Sequence, residues 1–491
     1  MTLAMPGQQR HALASNAVST VMARLLVPVF NVLLVISIAR LAGAAGLGQY
    51  TLLITLFQLC EQLKSLGLTT FVVREVSRDH EAAAACWSSL TRIGYWGALC
   101  ASPVMLAVAL AKNPLSWSVG LASAATCLGF LPSSQVLAND AVFLALGRAS
   151  YSLWIAMAEN IFRFAASIGC LVFWHSGMLQ LVAIYGCARF VAAIAGGIAR
   201  RNLLGPALAP YDSSQTRAML RKAPSFLAIF VAPLIFYRMD VLLLGVMATD
   251  YQVGVYSAAV RLISVAMIIP DGIMTAMFAL LSRVSGYQDR TKYHRLIQGA
   301  LELLGAAVAT VVVCGFIGGP FVVHLLFGSK FDASTPVFQI LVWGLIPILV
   351  YRVLGDSLVA DGEQKAVARM VVVGMIVSAV LYVVLIKLLG MPGAAWGFLL
   401  STTGLCVWVA LESVFRFRIA AIAPVMLSLT PAVAGPLAVL APKGSFWVIG
   451  ALAAAQVAAI VAFIRGRTWL KPQLEPSSGG AATELAEVSS L

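Results

Sequence analysis

Charge is scarce in this chain: of 491 residues only 11% are Asp, Glu, Lys or Arg, against roughly a quarter in an ordinary soluble domain. That shortage excludes a soluble globular protein. The five histidines, at 11, 80, 175, 294 and 324, lack the close spacing of a helical metal site, so a metalloenzyme has no support. There is no Gly-x-x-x-x-Gly-Lys phosphate cradle, which argues against transport driven by the chain's own ATP hydrolysis. The eight cysteines (60, 86, 100, 127, 170, 187, 314, 406) lie in apolar runs without paired spacing, so neither a disulfide framework nor a zinc site is indicated. No cofactor is expected. The polar start leads into its first apolar run with no small-residue cleavage site after it, which reads as a retained span.

What the chain has in abundance is apolar length, 60% of its residues. At about 20 apolar residues per membrane-crossing helix, fourteen runs qualify, near 15–41, 47–71, 91–111, 116–139, 150–174, 178–199, 222–248, 253–282, 296–326, 335–359, 366–389, 393–415, 420–441 and 445–464. The net charge of +13 would suggest nucleic acid in a soluble protein; here its placement carries the meaning. Twenty-one Lys and Arg fall in the start and the even-numbered connections and only five, Arg40, Lys112, Lys330, Lys387 and Lys443, in the odd-numbered ones. The positive-inside rule then puts both termini in the cytoplasm. The Ser, Gly and Glu-rich residues 465–491 read as a disordered cytoplasmic tail.

A repeat runs through the apolar pattern. Leu47-Gly48-Gln49-Tyr50-Thr51 at the second span returns as Val253-Gly254-Val255-Tyr256-Ser257 at the eighth, and Ala145-Leu146-Gly147-Arg148 after the fourth returns as Ala360-Asp361-Gly362-Glu363 after the tenth. Both echoes map span n onto span n+6 in the same orientation. The expected fold is therefore all-α and polytopic, with about fourteen transmembrane helices. It comprises a six-helix lobe over 1–200, a second over 222–415, two extra helices over 420–464, and the tail. Parallel lobes of this kind suit transport by rocking.

Seven cations lie within the spans: Arg24, Lys64, Arg163, Arg189, Arg238, Arg261 and Arg352. Each costs at least about 2.5 to 3.5 kcal/mol in a lipid-facing helix centre, so it should face protein or a watery cavity. Glu61 with Lys64, Glu159 with Arg163, and Arg352 with Asp356 are spaced to share a helix face, and a self-neutralised pair is one reading of each. Arg24, Arg189 and Arg261 have no acid within a helical turn, and Arg238 has only Asp240, two residues on and pointing elsewhere. Against five deep acids (Glu61, Glu159, Asp240, Asp271, Asp356) the interior is cationic. It suits an anion, above all a phosphate or diphosphate, which Arg grips with forked, charge-assisted hydrogen bonds. Prolines 28, 103, 132, 233, 270, 347 and 431 lie inside spans and would kink them.

From Leu25 to Phe415 the chain resembles the polysaccharide (O-antigen, Wzx-type) flippase family, within the superfamily that also holds multidrug antiporters and peptidoglycan-lipid flippases. The residues that carry the resemblance are Ala39-Arg40-Leu41-Ala42-Gly43 with Gly46-Leu47-Gly48-Gln49-Tyr50, Leu66-Gly67-Leu68 with Val73-Arg74-Glu75, and Arg238-Met239-Asp240 with Val253-Gly254-Val255-Tyr256-Ser257-Ala258-Ala259 and Arg261-Leu262. Leu325-Leu326-Phe327-Gly328 and Pro392-Gly393-Ala394-Ala395 complete them. The resemblance implies fourteen helices in two lobes around a central cavity. It also implies a flippase, not an enzyme, in the bacterial inner membrane, moving an undecaprenyl-diphosphate-linked oligosaccharide for O-antigen, exopolysaccharide or capsule. A polysaccharide polymerase and a chain-length regulator are the protein partners it suggests. By the same resemblance Arg24 and Arg261 sit where peptidoglycan-lipid flippases carry headgroup arginines, and Asp240 falls on the acidic position of the family's seventh span. Asp240, Glu159 and Asp356 are the acids on which ion coupling could act. The rivals are a multidrug or cation antiporter, whose substrate the cations would repel, a peptidoglycan-lipid flippase, and a membrane polymerase, ligase or glycosyltransferase. The last lacks support because Ala42 to Leu47 holds no acid and the outer connections are short.

Overall fold

A computed structural model describes residues 6–112, 124, 126–173, 178–205, 213–227, 231–285 and 290–417, with no account of side chains before residue 26. The two last expected spans, the tail and the side chain of Arg24 lie outside the described residues. All described elements are helical: α1 (Pro6–Lys64), α2 (Leu68–Arg78), α3 (Ala83–Lys112), α4 (Phe130–Ala145), α5 (Ala149–Phe173), α6 (Met178–Leu204), α7 (Ser213–Phe226), α8 (Ala232–Phe236), α9 (Met239–Met247), α10 (Asp250–Ala266), α11 (Ile268–Ser285), α12 (Arg290–Phe327), α13 (Ser334–Trp343), α14 (Leu345–Ala360), α15 (Gln364–Leu389) and α16 (Met391–Phe417). Seven helical stretches among the described residues are long and apolar enough to cross a membrane. Many large apolar side chains on these helices, such as Phe173, Leu388 and Ile376, are exposed, as a lipid-facing surface requires.

Helices lie over the described parts of the first twelve expected spans, with specific departures. The first two form α1, which is two helices met end to end at Gly43, where φ is +71° and the helical path breaks. The second ends at Lys64, short of the expected residue 71. Leu66 and Gly67 follow in left-handed geometry and start α2, which buries Leu68, Phe71, Val72 and Val76 and exposes Arg74 and Arg78. The seventh span, expected as one helix over 222–248, is α7, α8 and α9, interrupted at Tyr237 and Arg238. The eighth is divided at Met267 and the tenth at Gly344. At the eighth and tenth breaks a proline, Pro270 or Pro347, stands in the first turn of the helix that resumes, where its missing N–H costs no intrahelical hydrogen bond; in the seventh span Pro233 stands in the first turn of α8, before the break.

The sequence echoes have structural counterparts. Gly147 and Gly362 both take positive φ and close the preceding helices with the same pair of bonds. Arg148 N–H donates to Phe143 O at 2.8 Å and Gly147 N–H to Leu144 O at 3.1 Å, as Glu363 N–H does to Leu358 O at 2.9 Å and Gly362 N–H to Val359 O at 3.1 Å. At the other echo the two copies meet. A Cβ on Gly48 would lie 1.8 Å from Asp250 O, and a Cβ on Gly254 would lie 1.8 Å from Ala44 O, so α1 and α10 cross backbone against backbone through equivalent positions. Gln49 Nε2 donates to Asp250 Oδ2 at 2.8 Å beside that crossing.

Two compact units are distinguished. The first holds Met1–Ile268, Pro320–Phe338 and Ala368–Phe398; the second holds Ile269–Gly319, Gln339–Val367 and the chain from Leu399 onward. In the first, a core of Leu34, Ile38, Leu47, Phe57, Phe130, Tyr185, Val255 and Phe331 locks α1 to α4, α6 and α10. Phe57 stacks on Phe130 with ring centroids 4.5 Å apart and meets Tyr185 edge-on at 5.2 Å. In the second, Tyr293 donates its hydroxyl to Ser357 O at 2.5 Å and ties α12 to α14.

Candidate functional site

The first unit gathers most of the charged side chains expected inside the membrane. Arg189 on α6 reaches both Glu61 on α1, 2.8 Å from its Nη2 to Oε2, and Glu159 on α5, 3.0 Å from its Nη1 to Oε2. Asp140 on α4 adds a third acid within its electrostatic reach. Arg189, expected to stand without an acid, is thus the most fully neutralised cation in the site. Sequence spacing could not show this, because both of its partners come from other helices.

That arrangement also corrects two expected pairs. Lys64 makes no ion pair with Glu61, which acts on it only at longer range; its Nζ donates instead to Phe130 O at 2.6 Å, to Ser134 Oγ at 3.0 Å and to Ser133 Oγ, all on α4. Arg163 is not paired with Glu159; it donates to Asn160 Oδ1 at 2.5 Å and to Asn31 Oδ1. The Tyr185 ring lies between the two guanidiniums, 5.0 Å from Arg163 and 5.6 Å from Arg189, in cation–π contact with both. Asn31, Asn160 and Tyr185 were invisible to an inventory of charge; Asp140 stands one residue beyond the expected end of the fourth span.

A second group lies around the interrupted seventh span. Arg238 occupies the turn that ends α8 and starts α9, and Asp240 sits in the first turn of α9, at the positive end of the helix dipole. The two do not pair, as their spacing predicts. Asp240 is 2% exposed and accepts hydrogen bonds from the Tyr256 hydroxyl at 2.7 Å and from Val241 N–H at 2.7 Å. Arg238 and Tyr382 on α15 stand within electrostatic range of the same carboxylate.

Arg261 on α10 stands within electrostatic range of Arg238, Arg163 and the Tyr50 hydroxyl. Arg163, Arg238 and Arg261 form no ion pair among the described residues. Arg238 and Arg261 are half-buried, open enough to meet a ligand. Arg261 thus has two further guanidiniums within range, while the acids in range of Arg238 and Arg163, Asp240 and Glu159, are engaged by Tyr256 and Arg189. In the second unit Arg352 and Asp356 form the expected pair along α14, Nε to Oδ2 at 3.2 Å, with Asp271 also acting on Asp356.

Comparison with known proteins places these residues in context. Residues 13–285 match the family described as polysaccharide biosynthesis protein, and residues 224–384 match the family described as MatE. A probable low-salt glycan biosynthesis flippase of Haloferax volcanii is 26% identical over 163 residues, 33% of this chain and 34% of that protein. A putative O-antigen transporter of Shigella dysenteriae is 26% identical over 189 residues, 37% of this chain and 44% of that protein. The chain thus matches less than half the length of either relative. Among solved structures, the lipid II flippase MurJ in an inward closed conformation is similar with a TM-score of 0.64 at 12% identity, covering 94% of this chain and 100% of that one. An inward-facing multidrug resistance MATE family transporter is similar with a TM-score of 0.63 at 13% identity, covering 82% and 99%. At those identities the likeness is one of fold.

Proposed function

We propose that this chain, which belongs to the polysaccharide biosynthesis protein family, is a flippase that carries an undecaprenyl-diphosphate-linked oligosaccharide from the cytoplasmic to the periplasmic leaflet. The single observation that carries this reading is the surplus of guanidinium at Arg163, Arg238 and Arg261, none of which forms an ion pair with a described acid. An uncompensated cation is costly inside a membrane, and a diphosphate headgroup repays that cost with forked, charge-assisted hydrogen bonds. Arg238 has a further advantage, since it sits at the break in the seventh span, where a helix N-terminus adds partial positive charge. Arg24, whose side chain is undescribed, is kept in the binding set from the sequence. Arg189 and Lys64 join it as charges that hold the first unit's interior in shape, each already engaged with protein groups, and Arg352, paired with Asp356 in the second unit, is kept in the set from the sequence.

In this reading the diphosphate and sugar cross through the protein while the polyprenyl tail stays in lipid. Lobes over 1–200 and 222–415 rock about the α1–α10 crossing, and residues 420–464 add two helices. Both termini face the cytoplasm of a bacterial inner membrane, and a polysaccharide polymerase and chain-length regulator receive the product. Energy comes from an ion gradient or the membrane potential. The acids on which a proton can act are Asp240, bonded to Tyr256, and Glu159 and Asp356, whose protonation would release Arg189 and Arg352.

The test is export of polymer in a strain lacking its own flippase and making a matching sugar. The intact protein restores export, and Arg238→Gln/Arg261→Gln at equal membrane abundance does not. Full export by the double variant would remove the site while leaving the function; no export by the intact protein would overturn the function.

A further inference from the structure

A buried cation of the first unit stands well away from the site described above. Arg200 lies near the end of α6, eleven residues beyond Arg189 and about 16 Å further along the helix at 1.5 Å per residue. It is 6% exposed and forms no ion pair among the described residues. The charged group acting on it is Arg201, of like sign, and Asp140 on the facing helix turns to Arg189 instead. What Arg200 meets is the Trp87 ring of α3, 4.4 Å from its guanidinium carbon. The ring face attracts the charge but brings no oxygen to the N–H groups, and Arg200 Nε is buried without a hydrogen-bond partner.

The groups around Arg200 add donors and no acid. Trp87 Nε1 donates to Asn139 Oδ1 on α4 at 2.8 Å, which engages the amide oxygen and leaves its nitrogen to look elsewhere. Asn139 is 2% exposed, and its Nδ2 has no partner. That nitrogen lies against α6 at Gly196, where a Cβ would come within 2.5 Å of it. Gly196 is one turn before Arg200 on the same face, and a helical side chain leans back over the turn that precedes it. The guanidinium and the amide nitrogen therefore converge on one patch of α6. Thr91, one turn along α3 from Trp87 and 5% exposed, carries a third buried polar atom without a partner, its hydroxyl oxygen. Buried donors are paired in native proteins. A water molecule would bring two hydrogens that need acceptors of their own, whereas an anion accepts from every side.

We propose that Arg200, Asn139 and Thr91 bind one small inorganic anion, chloride, which joins α3, α4 and α6 at the end they share. Enclosure selects the size: each of the three groups is less than a tenth exposed, which admits a monatomic ion and shuts out the phosphate of a lipid or a nucleotide. The ion supplies to Arg200 the negative charge that Glu61 and Glu159 supply to Arg189. It is held apart from Arg163, Arg238 and Arg261, so the inference stands whether or not the chain is a flippase.

Melting of the full-length protein in detergent tests it, with sodium chloride exchanged for sodium gluconate, an anion too large to enter, at fixed ionic strength. The midpoint rises with chloride and saturates as it does for a bound ligand, bromide acts as chloride does, and gluconate has no effect. Arg200→Gln weakens the chloride dependence by about tenfold or more. Asn139→Asp keeps an acceptor for Trp87 and sets a carboxylate beside the guanidinium; it abolishes the dependence and melts in gluconate as the parent does in chloride. Because that variant carries its own anion, loss of the site is told apart from loss of the fold. Arg238→Gln/Arg261→Gln retains the dependence. Equal melting of the parent in chloride and gluconate, or an undiminished chloride effect in both Arg200→Gln and Asn139→Asp, overturns the proposal. Loss of the effect in Arg238→Gln/Arg261→Gln would assign the ion to those cations, and a shift with phosphate that Arg200→Gln removes would make the ligand an oxyanion; either result also overturns it.

Discussion

Tyr50 and Tyr256 are the same letter of one repeated motif, placed on opposite sides of one helix crossing, and their surroundings are opposite in sign. Tyr50 stands within range of Arg163 and Arg261, with no hydrogen bond to its hydroxyl among the described residues. Tyr256 is fully buried and donates its hydroxyl to Asp240 at 2.7 Å. The repeat fixed the backbone, in the reciprocal approach of Gly48 and Gly254, and left the chemistry free to diverge. One copy faces cations that form no ion pair, the other a satisfied acid, so one repeated shape carries two opposite electrostatic surroundings.

Perturbing each side separates these roles. The largest effect is expected at Arg189, whose replacement by Leu strands Glu61 and Glu159; loss of a buried ion-pair partner costs about 3–5 kcal/mol, read as a fall in melting temperature in detergent. If Arg189→Leu melts like the parent, the charge beside the first copy is not structural and the contrast fails. Next come Gly48→Ala and Gly254→Ala, for which overpacking against backbone predicts losses of about 1–3 kcal/mol or more, equal for the two. A clear inequality between them would break the symmetry on which the comparison rests. Tyr256→Phe removes the side-chain donor to Asp240 and should cost about 1–3 kcal/mol, whereas Tyr50→Phe should stay within about 0.5 kcal/mol. Matching losses at both tyrosines would erase the distinction drawn between them. The smallest change in stability belongs to Arg261→Gln, within about 0.5 kcal/mol, yet polymer export should be lost; a variant both stable and fully active would return Arg261 to the role of a spectator.

How much of this was legible in the sequence depended on whether the determining contact was local. Long apolar runs such as those of α5, α6, α15 and α16 declared themselves, and so did the helix ends at Gly147 and Gly362, because a left-handed cap needs a glycine at a fixed place. The breaks at Arg238, Met267 and Gly344 were hidden within continuous apolar composition, although Pro233, Pro270 and Pro347 marked their neighbourhood. The ion pairs divided the same way. Arg352 and Asp356 are neighbours on one helix and were readable, while Arg189 takes acids from α1 and α5 that no spacing rule connects to α6. Once Arg189 holds Glu61 and Glu159, Lys64 and Arg163 must turn to serine, asparagine and carbonyl oxygens. Neutral acceptors of this kind leave no trace in a search for opposite charges.

The crossing of α1 and α10 has a thermodynamic consequence of its own. Where side chains interlock, each must be frozen when the contact forms, and long ones forfeit up to about 2 kcal/mol of rotamer freedom. At Gly48 and Gly254 the touching atoms are peptide groups already immobilised in their helices. Contact there forms and separates with almost no change in conformational disorder, and two smooth backbones can roll over one another without unthreading anything. A joint of that construction can be tight and still turn over rapidly.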